Sequence, residues 1–433
     1  MGVLTNRRVL AIALPIVLSN ITVPLLGLVD TGVIGQLGQP APIGAVGIGA
    51  VILASAYWIF GFLRMGTTGL VAQAHGAGDR TAAGAHLLRA LAIAGGAGLL
   101  FILLQAPLFW AAFRLAPASA QVEALARDYL AIRIWGAPAA IAVFALTGWM
   151  IATERTRAVL ALQLLMNGTN IALDLWFVLG LGWGVQGVAA ASLMAEYLGA
   201  GFGLYLARDT IRAALGQPLW SAPELRRLSS VNGNILIRSV LLQASFTSFL
   251  FLAAGQGDVT LAANQVLLQF LTIAAYALDG FAFAAESLVG QAIGAGRPGQ
   301  VRQASRLTAQ WGVAGAVLMA LVFALAGGTI IDALTTAPEV RAESRHYLPW
   351  LVVLPLVSVA SYMFDGIFIG ATLTREMRQT MTISAALYVM ALVIFLPIWG
   401  NHGLWAALVV LNAARGLTMW PHYKKAEAAA APA

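Results

Sequence analysis

An amide, a carboxylate and a hydroxyl are spaced in this sequence so that they can meet inside apolar stretches of the chain. Asn170 and Asp174 are four residues apart, so they share one face if their stretch is helical. Ser192, in the next apolar stretch, can add a hydroxyl oxygen. Such oxygens hold a proton through hydrogen bonds or bind a hard cation such as Na⁺. The spacing therefore indicates a proton-holding or cation-binding site.

Asp30 is the acid of the first apolar stretch, which also contains Pro15 and Pro24. A charged side chain inside such a stretch is costly, so it normally marks a pathway, a relay or a partner. Each proline removes a backbone donor and allows a kink, although prolines also occur in membrane helices without this role. A hinged helix that carries a titratable group can couple protonation to bending, and we predict this role for Asp30.

Four further acids are placed in or near apolar stretches. Asp279 and Glu286 are seven residues apart and would also share a helix face. The alternative interpretation is that acids of this kind form structural ion pairs with arginines inside the same stretches. The four acids are Glu196, Asp279, Glu286 and Asp365, and the arginines are Arg64, Arg238 and Arg415.

Aromatic and methionine side chains near these positions are candidates for lining a substrate cavity. Aromatic faces attract cations, and methionine adapts to ligands of varied shape. Packing or lipid contact is the more common role for any one such residue. The candidates are Tyr57, Trp58, Met65, Met166 and Met194.

The elements that carry these residues must be membrane helices. The chain has 433 residues, of which 60% are hydrophobic and 10% charged, whereas soluble domains carry about 25% charged residues. Continuous apolar runs of about 20 residues or more predict helices rather than barrel strands. Twelve runs are present, at about 9–36, 43–72, 86–113, 126–153, 157–182, 185–207, 230–254, 260–291, 305–331, 344–371, 380–399 and 403–422.

The net charge of +7 is explained by membrane topology and not by nucleic acid. If both termini are cytoplasmic, most Lys and Arg residues lie on the inner side, as the positive-inside rule requires. The first run follows Arg7 and Arg8 but is too long for a signal peptide, so we predict a retained first helix. No cysteine is present, which excludes thiol chemistry, and no HExxH or GxSxG motif suggests an enzyme.

The chain repeats itself at about half its length. Residues 72–78 read AQAHGAG and residues 290–296 read GQAIGAG, while GVQGVAAA at 184–191 matches GNHGLWAA at 400–407. Parallel repeats of six helices predict a substrate path between two pseudo-symmetric lobes. We predict an N-terminal lobe at 1–207, a cytoplasmic linker at 208–229, a C-terminal lobe at 230–422 and a cytoplasmic tail at 423–433.

Several segments resemble the DinF-type bacterial branch of the multidrug and toxic compound extrusion transporters. They are residues 11–38, FLRMGTTGLVAQAHGAG at 62–78, YALDGFAFAAESLVGQAIGAG at 276–296, FDGIFIGAT at 364–372 and GNHGLWAAL at 400–408. The resemblance implies twelve helices in two six-helix lobes around a central cleft. It also implies export of cationic or amphipathic compounds in exchange for H⁺ or Na⁺.

The resemblance carries residue roles as well. The acidic site of the family's N-terminal lobe corresponds to Asp30, Asn170 and Asp174, with Ser192 where the family often has threonine. The proline at which the first helix bends corresponds to Pro15. A C-terminal acidic position of the NorM-type branch corresponds to Asp365, which leaves a role for that lobe open.

The sequence thus predicts an ion-coupled multidrug antiporter that uses no cofactor. H⁺ is favoured as the coupling ion, and Na⁺ bound at Asp30, Asn170, Asp174 and Ser192 is the alternative. The second candidate is a flippase for lipid-linked precursors, which would favour a basic cavity. We expect a monomer in the bacterial cytoplasmic (inner) membrane, with small cationic or amphipathic molecules and the bilayer as its partners.

Overall fold

The computed structural model describes residues 3–115, 118–216 and 218–431, and these residues form an all-α structure. Twelve long helices are accompanied by two short ones, Gln105–Leu115 and Tyr423–Ala428. The long helices are α1 (Asn6–Gly35), α2 (Pro40–Gly76), α3 (Arg80–Leu103), α4 (Ala120–Ala152), α5 (Thr156–Gly180), α6 (Gly184–Ala214), α7 (Ala222–Ala254), α8 (Asp258–Gly294), α9 (Pro298–Leu334), α10 (Pro338–Gly370), α11 (Thr374–Trp399) and α12 (Asn401–Met419).

Eleven of these helices, α1 to α11, are long and apolar enough to cross a membrane. The predicted multi-pass helical architecture is confirmed. α12 is more polar than the others, and its polar side chains have partners inside the protein. Asn401 exchanges hydrogen bonds with Asn264 of α8 at 2.6 and 3.1 Å, and the Trp405 indole donates to the same asparagine at 2.9 Å. Internal satisfaction of these groups lets the helix be buried despite its polarity.

Several helices depart from regular α geometry. α2 is interrupted at residues 59–60, and α4 contains a 3₁₀ turn at Ile134–Gly136. The last six residues of α5, Leu175–Gly180, are π-helical. α1 is one continuous helix that passes through both Pro15 and Pro24.

Helix ends differ from the ends of the apolar runs in two places. The third predicted run, 86–113, forms two helices that meet at Leu104, where ψ is 15° and the helix stops. Pro107 lies in the first turn of the second helix, where a missing backbone donor costs nothing. The predicted linker, 208–229, is mostly helical, because α6 continues to Ala214 and α7 begins at Ala222. Polar residues extend helices beyond the apolar runs, so hydropathy alone places their ends too early.

The chain divides into two compact units. One contains the described residues up to Val17, residues 72–78 and the chain from Ala222 onward, and the other contains residues 18–71 and 79–221. These units assign the start of α1 and the end of α2 differently from the predicted lobes. The first unit has an aromatic core in which the Phe249 and Trp405 rings meet edge to face at 4.9 Å.

The two copies of the repeated motif at 72–78 and 290–296 contact each other within the first unit. A methyl group added at Gly76 would overlap the backbone carbonyl of Gln291, and one added at Gly294 would overlap the carbonyl of Gln73. The contact is reciprocal, because each glycine faces the glutamine of the other copy. Only glycine allows the two backbones to approach this closely.

We predict that Gly76→Ala and Gly294→Ala each lower the free energy of unfolding by about 1–3 kcal/mol, because the added methyl meets backbone that has no room to move. Gly95→Ala is the matched control, since nothing lies within 4 Å of the added carbon. It should be neutral or stabilising by up to about 1 kcal/mol. Thermal unfolding in detergent measures all three variants. Equal midpoints for Gly76→Ala and Gly95→Ala would contradict the close packing.

Candidate functional site

The four side chains of the predicted N-terminal cluster lie together. Asn170 is oriented by its neighbours, because only with its amide nitrogen toward the acids can it donate to both of them. That nitrogen lies 2.9 Å from Asp30 Oδ1 and 3.3 Å from Asp174 Oδ2, while its oxygen accepts from Ser192 Oγ at 3.0 Å. One amide therefore connects α1, α5 and α6.

The Asp30 and Asp174 carboxyl groups are neighbours, because one oxygen of each lies within 3.3 Å of the same Asn170 nitrogen. Two neighbouring buried carboxyl groups repel each other unless one of them holds a proton. Asp174 Oδ1 is buried and receives no hydrogen bond from an N–H or O–H donor of the described residues. A proton held between the two acids gives this oxygen the partner that a buried polar atom requires.

Local structure explains how Asp174 reaches this position. It is the last α-helical residue of α5, and the π-helical turn begins at the next residue. Three residues before Asn170, the Asn167 side chain donates to the Thr22 carbonyl of α1 at 3.1 Å. α5 therefore holds α1 at two levels, one turn apart.

The cluster opens into a cavity of about 260 Å³. Asp30, Asn170 and Ser192 lie on its wall, together with Tyr57 and Met166 from the predicted cavity set. The other members of that set are not among its lining residues: Trp58 and Met194 are 41% and 50% exposed, and Met65 is half-buried.

An ion pair stands on the same cavity wall. Arg133 of α4 donates to both carboxylate oxygens of Glu196 on α6, at 2.7 and 2.8 Å, and the pair is mostly buried. The Arg133 Nε also donates to the Tyr129 hydroxyl at 3.4 Å. A methyl at Gly49 would overlap the Tyr129 ring, and one at Gly136 would overlap a Glu196 oxygen. Two glycines thus make room for this network.

Sequence reasoning did not assign Arg133 or Tyr129 to the site, and it listed Glu196 only as one acid among several. A usable signal was present. Tyr129 and Arg133 are four residues apart, and so are Ser192 and Glu196, which is the spacing of Asn170 and Asp174. Three helices thus each present a polar pair at one-turn spacing. Arg133 considered alone, near the start of an apolar run, resembles an interfacial residue.

Among the C-terminal acids, Asp365 of α10 has arginine partners. Its Oδ2 accepts from Arg238 of α7 and from Arg415 of α12, the latter at 2.6 Å, and all three side chains are buried. Arg415 also donates to Asn412 at 3.1 Å. Two guanidinium groups share the Asp365 Oδ2 oxygen, so Asp365 is arranged as part of a structural ion pair. That oxygen is already occupied and is not free to bind a cationic substrate.

The other predicted acids of the C-terminal half lie on α8. Asp279 lies near enough to Arg238 for Coulomb attraction, and Glu286 is buried with 1% exposure. Among the described residues, no three His, Cys, Asp or Glu side chains are grouped to hold a metal ion. A Na⁺ ion at the cluster of Asp30 would therefore need the amide and hydroxyl oxygens as ligands.

We predict that Asp365→Asn lowers the free energy of unfolding by about 3–5 kcal/mol, because it leaves buried arginines without their counter-charge. Asp332 provides the matched control. It also pairs with two arginines, Arg341 at 3.4 Å and Arg345 at 2.6 Å, but these side chains are 33–45% exposed. Asp332→Asn should cost less than about 1 kcal/mol. Similar losses of thermal stability in both variants would contradict the assignment of Asp365.

Comparison with known proteins places this geometry in context. The MatE family model matches residues 15–176 and again residues 235–397. DNA damage-inducible protein F of Escherichia coli is 42% identical over 419 residues, which cover 96% of this chain and 91% of that protein. The probable multidrug resistance protein NorM of Pseudomonas aeruginosa is 27% identical over 455 residues, covering 97% of this chain and 90% of that protein.

Solved structures agree in fold. A MATE protein in the bent conformation superposes with a TM-score of 0.89 at 19% identity, covering 98% of this chain and 96% of that chain. The straight conformation gives 0.87 at 19% identity, with the same shares covered. One family model matches the two halves of the chain in succession. The internal repeat seen in the sequence therefore consists of two copies of the same unit.

Proposed function

The chain belongs to the MatE family of multidrug transporters, and on that premise we propose that it exports cationic or amphipathic compounds in exchange for H⁺. The observation that carries the proposal is the closeness of Asp30 and Asp174, which both lie within 3.3 Å of the Asn170 nitrogen beside a cavity lined by Asp30. Two acids that share one proton form a site that is negative in one state and neutral in the next. Such a site can hold a cation and then release it.

The proposed cycle follows from this change of charge. With one proton shared, the pair attracts a cationic substrate into the cavity. A second proton, entering from outside, neutralises the pair and removes that attraction. A pH difference supplies about 1.4 kcal/mol for each unit and each proton. That energy matches the loss of one favourable charge contact in a pocket of intermediate dielectric constant.

We infer that α1 transmits protonation as a change of shape. Asp30 lies six residues after Pro24, and α1 is held to α5 by bonds to Asn170 and at Thr22. Protonation changes the first of these bonds, because a neutral carboxyl group accepts more weakly than a carboxylate. The prolines leave the helix easy to bend at Pro15 or Pro24. The existence of bent and straight forms among the solved structures supports this step.

We infer H⁺ rather than Na⁺ as the coupling ion. The amide orientation of Asn170 is assigned from its hydrogen bonds, and the orientation that satisfies both ends directs its nitrogen at the two acids. In that orientation the amide donates to the carboxyl groups, whereas a Na⁺ site would use the opposite orientation, with the amide oxygen toward the ion.

A flippase for lipid-linked precursors is not favoured. Such a protein would present a basic cavity to a phosphate group, whereas this cavity wall carries Asp30 and Glu196 against the single cation Arg133. As a multi-pass membrane protein related to a bacterial transporter, the chain is proposed to lie in the bacterial cytoplasmic (inner) membrane. We propose that it acts there as a monomer with both termini cytoplasmic.

We predict that Asp30→Asn and Asp174→Asn each weaken the pH dependence of substrate binding, because an amide cannot titrate and only one of the two acids remains. Their effects on affinity should not add, since each variant removes the same shared proton. Equilibrium binding of ethidium to purified protein between pH 5 and 9 measures both, with the exposed Asp209→Asn as control. Fully additive losses would show that the two acids act separately.

We further predict that an imposed pH gradient drives ethidium export from proteoliposomes in the absence of Na⁺. A Na⁺ gradient at uniform pH should leave the export rate near the rate measured without any imposed gradient. The reverse pattern, with Asn170→Ala losing the response to Na⁺, would replace H⁺ by Na⁺ as the coupling ion.

A further inference from the structure

We propose that the Arg133–Glu196 pair sets the charge of the substrate that the cavity accepts, and that it makes the site selective for monovalent organic cations. This inference rests on the proposed exchange of a cation for protons at Asp30 and Asp174. It concerns two residues that do not belong to the predicted cluster, and it specifies the class of substrate.

The pair belongs to the cavity by position. Arg133 and Glu196 both line it, and their side chains keep 12% and 13% of their surface accessible. The Arg133 guanidinium is also near enough to act on the carboxyl groups of Asp30 and Asp174 by Coulomb attraction. A substrate in the cavity therefore meets Asp30, Arg133 and Glu196 directly.

The pair is also held in place on both sides. Arg133 is fixed by two bonds to Glu196 and a third to Tyr129. Glu196 lies against Gly136, where any larger residue would overlap its carboxylate, in the 3₁₀ turn that follows Arg133. The backbone thus leaves space for this ion pair, which distinguishes it from an incidental surface contact.

The charges on the wall determine the preferred ligand. Arg133 cancels Glu196, so the cavity has the charge of the acid pair alone, which is a single negative charge when Asp30 and Asp174 share one proton. The other titratable groups on the wall, Tyr57 and Tyr129, are neutral phenols. One monovalent cation neutralises this cavity. A dication would leave an uncompensated positive charge in a poorly solvated space.

Two fluorescent probes test the inference. Ethidium is a monovalent cation, and propidium has the same ring system with a second cationic arm. Their affinities are measured at one pH on purified protein in detergent, and the ratio of the two is compared between variants. Because both probes are measured on each variant, differences in probe size cancel.

Arg133→Gln should raise the affinity ratio of propidium to ethidium by at least about tenfold, because it adds one net negative charge to the wall. Glu196→Gln should weaken ethidium binding by about tenfold and propidium binding by more, so that the ratio falls, because it removes the last net negative charge. The double variant Arg133→Gln/Glu196→Gln restores the parent charge, so its ratio should return to within about threefold of the parent.

Gly136→Ala separates charge from geometry. It displaces Glu196 without changing any charge, so the ratio should stay within about threefold of the parent value. Gly168→Ala, with nothing within 4 Å of the added carbon, is the control for a helix glycine. If Arg133→Gln does not fold, Glu196→Gln and the double variant decide the matter.

Folded single-charge variants with an unchanged ratio would overturn the inference, and so would a Gly136→Ala ratio as altered as that of Glu196→Gln. Failure of the proposed function is a different result. In that case Asp30→Asn would also leave ethidium binding and its pH dependence as in the parent. Loss of pH dependence in Asp30→Asn, with no effect of the pair variants, would leave the proton exchange standing and remove only the role of Arg133 and Glu196.

Discussion

A carboxylate inside an apolar helical protein needs a partner, because removing its charge from water costs several kcal/mol unless another group offsets it. Four of the described acids meet this requirement in two ways. Asp365 and Glu196 have arginines, which neutralise them permanently. Asp30 and Asp174 have each other and one amide, and in the proposed mechanism their partner is a proton that can leave. On that proposal, a structural acid differs from a coupling acid in the mobility of its counter-charge.

This constraint links the fold to the site. The two acids of the proposed proton site come from α1 and α5. α1 contains two prolines, and α5 changes from α to π geometry directly after Asp174. The arginine-paired Glu196 lies against the 3₁₀ turn of α4, where Gly136 leaves room for its carboxylate. Helix irregularities therefore occur beside both kinds of acid, and the type of counter-charge is what separates them.

The sequence predicted the architecture well, because hydropathy and the repeat both act over long segments. The four members of the cluster were found from spacing and family resemblance, and the structure brings them within hydrogen-bonding distance. Arg133 was not found, since a cation at the start of an apolar run looks like an interfacial residue until its partner on another helix is known. Helix ends were also poorly predicted, because a helix continues into polar residues where the apolar signal stops. Which arginine neutralises which acid is a property of tertiary packing, and no local pattern contains it.

The reciprocal contact between the two copies of the repeated motif also imposes an order on the biosynthesis of the protein. Gln73 and Gly76 leave the ribosome 218 residues before their partners, Gln291 and Gly294. Residues up to Val17 and residues 72–78 belong to a unit whose remainder begins at Ala222, so they are inserted long before that unit exists. The unit formed by residues 18–71 and 79–221 can assemble first, as domains generally do during synthesis. During synthesis, the beginning of α1 and the end of α2 must therefore remain without their packing partners until α8 has been inserted into the membrane.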